Sequence, residues 1–171
     1  MLNKIIKFDE LISMQSLNED IGNINISIDK IDKINISKRL DLIKLDALEI
    51  NINYKKVNKI ELVAKYNIIA IGDQKCVITL NPIKFNIKEF FNMKFKNIKT
   101  IDLSSLEDEF IEPIYDNINF SEIGVQMFAS FLSLYPKINN GKIDLKSISK
   151  DDVNNEENNN NPFQVLNNIN K

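Results

Sequence analysis

Histidine is absent from this chain of 171 residues, which removes the commonest general base and the usual metal ligand together. Cysteine occurs once, at Cys76, so neither an intrachain disulfide nor a cysteine-based zinc site can form. Metal hydrolases, Ser-His-Asp enzymes and Cys-His enzymes are excluded as self-contained machines. Carboxylate-only or lysine chemistry stays open. Arginine is nearly missing too: of 22 basic residues only Arg39 carries the guanidinium that reads phosphates and base edges bidentately. With 24 acids the formal charge is −2, so the totals announce no broad nucleic-acid binding, and DNA is not an expected partner. No apolar run approaches the roughly 20 residues that span a bilayer. The opening MLNKIIKFDELISM meets Asp9 and Glu10 before any long apolar stretch develops, so it does not read as a secretory signal. The expected address is the cytoplasm, with no membrane partner and no cofactor.

What is present can pack. Hydrophobic residues make up 43% and charged residues 27%, which excludes a fully disordered chain. Isoleucine and asparagine are abundant, as a drift toward AT-rich codons would make them. The length fits one domain with a tail, and no internal repeat points to a solenoid or propeller. Glycine and proline number four each, so each is useful as punctuation.

Ile24, Ile26 and Ile28 alternate with polar residues and read as a half-buried strand. Asp29 then caps a short helix to about Leu40, with Ile31 and Ile34 on one side and Lys30, Lys33, Lys38 and Arg39 around the other. Leu48, Ile50, Ile52 and Tyr54 alternate with Glu49, Asn51, Asn53 and Lys55. After a turn at Lys56–Asn58, Ile60, Leu62, Ala64, Tyr66 and Ile68 do the same. Gly72-Asp73 breaks the chain before a strand holding Cys76, Ile78 and Leu80, and Asn81-Pro82 breaks it again. A fourth strand puts Ile83, Phe85, Ile87, Phe91, Met93 and Phe95 on one face, with Lys84, Lys88, Lys94, Lys96 and Phe90 on the other.

The fold class expected is α+β: an antiparallel meander of at least four strands, a short N-terminal helix and a covering apolar helix near the C-terminus. That last helix is SEIGVQMFASFLSL, capped by Ser121, with Ile123, Met127, Phe131 and Leu134 on one stripe, ended by Tyr135-Pro136. Residues 1–138 form the domain. Residues 139–171 form a flexible asparagine-rich tail with a short apolar hook at 162–166.

Charge is segregated along the chain. Lys84, Lys88, Lys94 and Lys96 offer point charges to RNA phosphates, and Phe90 among them offers a stacking surface; a solvated sheet face is the plainer reading. From Thr100 to Glu122 there are seven acids and no lysine. This stretch reads as a connection, since Pro113 and Asp116-Asn117 break any long period. A solvated loop, a Mg²⁺ site or a mimic of nucleic acid toward a basic protein all fit it. Cys76, on the parity of Ile78 and Leu80, is assigned a small buried apolar role, with a reactive thiol as the alternative. Thr79 and Pro82 set strand and turn geometry, and Glu122 is a first-turn acid favoured by the helix dipole.

In this order the motifs resemble the YceD family, proteins linked to accumulation of large-subunit ribosomal RNA. The resemblance rests on Ser37–Leu42 followed by Leu45–Leu48, and on Gln74–Ile83 with Cys76, Thr79, Leu80 and Pro82. It continues in Ile118–Glu122 leading to Phe131–Lys137 with Tyr135, Pro136 and Lys137, and in Asn161–Leu166. Where many family members carry a Cys-x-x-Cys pair, the earlier position here is Asp73, so a zinc clamp is not implied. The resemblance implies a non-enzymatic factor in large-subunit (23S) rRNA accumulation, processing or assembly, whose partner is that rRNA or a basic ribosomal protein. The alternatives are a protein–protein adaptor using the apolar helix or the hook, and a carboxylate-based metal-dependent nuclease.

Overall fold

The computed structural model describes residues 3–17, 19–100, 111–115 and 117–138. In chain order these form β1 (Asn3–Lys7), β2 (Leu11–Ser13), β3 (Ile21–Ser27), α1 (Lys30–Arg39), β4 (Lys44–Asn58), β5 (Glu61–Lys75) and β6 (Pro82–Asn97). β7 (Ile111–Ile114), β8 (Asn117–Asn119) and α2 (Phe120–Phe131) follow. The expected tail and hook lie outside the described residues, as do Asp102, Glu107, Asp108, Glu109 and Asp116.

The class is α+β, but the sheet is mixed rather than a pure antiparallel meander. Its order is β1-β3-β4-β5-β6-β7. β3 to β6 pair antiparallel, whereas β1 runs parallel to β3 and β7 runs parallel to β6. β2 and β8 make a separate two-stranded ribbon. The segment expected to be only a connection thus contributes two short strands. Pro113 is tolerated because β7 lies at the sheet edge, where a missing N–H interrupts nothing.

The strand expected at Cys76–Leu80 does not form. β5 runs through Gly72 and Asp73 to Lys75, and residues 76–81 make the turn into β6. Leu80 N–H donates to the Cys76 carbonyl (3.0 Å) and Cys76 N–H to the Asn81 carbonyl (2.9 Å), while Leu80 takes a left-handed φ of 60°. Gly72 is no breaker. A side chain there would put Cβ 2.4 Å from the Lys44 carbonyl oxygen and 2.7 Å from the Phe85 ring, so glycine is what lets β4 and the ring approach. Ile60, expected on the core face, sits in the β4–β5 turn, its N–H bonded to Asn58 Oδ1 (2.8 Å).

The core lies on one face of the long sheet. Leu48, Ile50, Ile52, Leu62, Ala64, Tyr66, Ile68, Met93 and Phe95 are buried there by alternation, and α2 packs on them. Phe120 meets Phe95 edge-on (centroids 5.4 Å apart), Phe128 lies 6.0 Å from Phe85 and Phe131 6.4 Å from Phe91. Full burial of a ring, as at Phe95, Phe120 and Phe128, contributes on the order of 1.5–3 kcal/mol. The cap of α2 is Asn119, not Ser121: Asn119 Oδ1 accepts from Glu122 N–H (3.0 Å). Ser121 is buried inside the helix, where its hydroxyl accepts from Asp9 N–H (2.9 Å). The helix ends at Phe131, one turn before Tyr135-Pro136, so Leu134 projects from the segment beyond it.

α1 starts in a capping box, Asp29 and Asp32 each accepting from the other's N–H. Its buried residues are Ile36 and Ser37. Ile31, 66% exposed, and Ile34 face water instead.

Candidate nucleic-acid interface

The alternation that buries one sheet face turns the other outward, and strand register fixes what stands beside what. One outer row reads Asn23–Asn53–Lys65–Asn92 from β3 to β6, and the next reads Asn25–Asn51–Asn67–Phe90. Glu49–Ile69–Lys88 and Asp73–Lys84 lie toward one end, and Lys55–Val63–Lys94 and Glu61–Lys96 toward the other. Apart from buried Asp73, these side chains are exposed or half-buried.

The four lysines singled out in the sequence, Lys84, Lys88, Lys94 and Lys96, all stand on this face. They form a track rather than a pocket, since twelve residues of strand span about 40 Å. They are not equivalent. Lys94 Nζ lies 3.1 Å from Glu61 Oε1 and is largely covered. Lys84 stands beside Asp73 in register, but the Asp73 carboxylate turns to Lys44 (3.4 Å), which also holds Asp46 (3.0 Å). These two carboxylates raise the Lys44 pKa, Asp46 more than Asp73.

Sequence reasoning missed Lys65. Its Nζ sits 4.9 Å from the centroid of the Phe90 ring, which is 65% exposed. Only the β5–β6 register brings them together, and no spacing along the chain could have shown it. The outer asparagines were also missed as a group. Asn23 Nδ2 donates to Asn53 Oδ1 (2.7 Å), a cross-strand amide pair between β3 and β4.

Two of the passages that carry the YceD resemblance, Gln74–Ile83 and Phe131–Lys137, meet elsewhere. Val77 N–H donates to the Pro136 carbonyl (3.0 Å) and Gln74 Nε2 to the Ser133 carbonyl (3.0 Å), so the Cys76–Leu80 turn and the Ser133–Lys137 segment pack side by side. A hollow of about 310 Å³ lies between them, bordered by Asp41, Gln74, Lys75, Leu132 and Ser133. Cys76 is buried, but as a turn residue and not by strand parity. The Thr79 hydroxyl and then its N–H, the latter 3.4 Å from Sγ, outweigh burial and bring the thiol down to about 6. Thr79 Oγ1 also accepts from Asn81 N–H (3.4 Å), and Pro82 opens β6. Leu80, Leu134 and Tyr135 (73% exposed) present apolar surface here, and Lys137 is exposed beside them.

Glu122 is separate from that cluster. Besides its place in the first turn of α2, its carboxylate accepts from both terminal nitrogens of Arg39 and from Gln126 Nε2 (3.0 Å). The hydrogen bonds from Arg39 first, with that from Gln126, hold the carboxyl below the usual range despite partial burial.

Among the described residues no three Asp, Glu or Cys side chains group to hold a metal ion. No described helix is long and apolar enough to cross a membrane. Compared with known proteins, the chain matches no family model, no curated protein and no solved structure.

Proposed function

We propose that this domain is a non-enzymatic factor that holds large-subunit ribosomal RNA on the outer face of its sheet. The observation that carries the reading is the charge balance of that face. Lys55, Lys65, Lys84, Lys88, Lys94 and Lys96 stand against Glu49, Glu61 and Asp73, and two of those three acids are engaged by Lys94 and Lys44. A solvent-facing surface with surplus lysine attracts phosphates by releasing counterions, without needing arginine forks. The ribosomal part of the reading comes from the resemblance to the YceD family alone. Sedimentation of native lysate, with and without RNase, tests it. Co-migration with precursor large subunits that RNase abolishes is expected, and a chain found only at the top of the gradient would oppose it.

A second reading rests on Leu80, Leu134 and Tyr135. Their exposed apolar surface suits a protein partner, whereas the apolar face of α2 is already packed in the core. Association that survives RNase and fails in Tyr135→Ala would favour this adaptor.

A further inference from the structure

We infer that the RNA segment taken by this face is unpaired, with one base stacked on Phe90; the inference rests on the RNA reading above and narrows it. Phe90 is the exposed aromatic ring at one end of the row Ile5–Asn25–Asn51–Asn67–Phe90, whose middle three members are amides. Beyond its contact with Lys65, a solvated sheet face gains little from a ring left 65% exposed, whereas a nucleobase gains a stacking surface. Lys65 Nζ lies over one face of the ring, 4.9 Å from its centroid, so the base stacks on the other face.

Along β6, Lys88 stands two residues before Phe90 and Asn92 two residues after it, on the same face and about 7 Å away on either side. A strand laid along β6 therefore puts its phosphates against Lys84 and Lys88 on one side of the stacked base. The amides of Asn67 and Asn92 carry both donors and acceptors, matching the edge of a base that has left its pair. Duplex RNA fits this surface poorly. Its bases are stacked and paired, and its deep major groove admits no side chains from a sheet. The ligand class is thus single-stranded RNA, held by stacking and phosphate contact with amides touching base edges.

The test uses the full chain and a labelled RNA of about 12 nucleotides that cannot self-pair, beside its blunt duplex. The chain has no tryptophan, so Phe90→Trp installs a single reporter at an exposed position. Expected are tighter binding of the single strand than of the duplex, quenching of the Phe90→Trp emission on binding, and a loss of at least about fivefold in Phe90→Ala. Binding of single strand and duplex alike, with Phe90→Ala unchanged, would overturn the stacking inference and leave the charge-based RNA reading standing. Failure to bind either RNA would overturn both.

Discussion

Arg39 and Glu122, 83 positions apart in the chain, meet in a two-pronged pair: Nη1 lies 2.7 Å from Oε2 and Nη2 2.5 Å from Oε1. The pair joins the last turn of α1 to the first turn of α2, complementing both helix ends at once. Half the guanidinium is exposed, so solvent screening limits its worth to about 1 kcal/mol. Lysine cannot reproduce the fork, and Arg39→Lys is expected to lose most of that amount in urea unfolding. The Glu122 carboxyl is depressed in the folded state. Its contribution is therefore full above the unfolded pKa, near 4.3, and is lost as pH falls through the folded value. Glu122→Gln should flatten that part of the acid limb, and an unchanged limb would show that the pair is idle.

Gly72 and Gly124 both face close neighbours, but the neighbours differ. At Gly72 the obstacle is the Lys44 carbonyl at 2.4 Å, part of a backbone that cannot move without breaking sheet pairing. At Gly124 it is the end of the Ile50 side chain at 2.8 Å, and alanine gains up to about 1 kcal/mol of helix propensity in partial compensation. Gly72→Ala is expected to cost about 2–3 kcal/mol and Gly124→Ala at most about 1. Reversal of that order in thermal unfolding would contradict the packing described.

Cys76 combines a lowered pKa with burial. Thiolate absorbance should rise with a midpoint of about 6, and Thr79→Val should move that midpoint up by removing the hydroxyl that contributes most. Alkylation of the folded chain should nevertheless be slow and should accelerate on unfolding, because Sγ is closed off by its own turn. The depressed thiol favours the fold above its unfolded pKa, and that contribution is lost as pH falls through about 6. Fast native alkylation would contradict the burial.

The Tyr66 ring stacks on Phe91 at 4.5 Å, yet its hydroxyl finds no hydrogen-bond partner among the described residues. Burial raises its pKa well above the ordinary phenol value. Tyr66→Phe keeps the stack and removes the orphaned hydroxyl, so a gain of about 1 kcal/mol is expected. A loss of stability would mean that the hydroxyl is satisfied.

Much of the sheet was legible wherever one face is buried over many residues. The alternation Leu48, Ile50, Ile52, Tyr54 in β4 and Leu62 to Ile68 in β5 fixes which side faces the core, and with it which side carries Lys84 to Lys96. Short segments misled. Cys76, Ile78 and Leu80 alternate over five residues, yet local hydrogen bonds close them into a turn. β1 and β7 escaped because four or five residues set little periodicity, and a parallel pairing has no tight hairpin turn to announce it. Lys65 beside Phe90 and Arg39 beside Glu122 are products of register and packing, which no spacing along the chain encodes.

The salt dependence of RNA affinity tests the central claim most directly. Each single-strand phosphate neutralised by a lysine contributes about −0.7 to the slope of log affinity against log salt. Three or four lysines engaged along the outer face predict a slope of roughly −2 to −3 for the wild-type chain. Combined charge reversal of Lys84, Lys88 and Lys96 should bring it close to zero, at some cost in stability because the new acids at 84 and 96 face Asp73 and Glu61 across the strands. A wild-type slope near zero, or one that survives the reversal, would contradict RNA binding through this face.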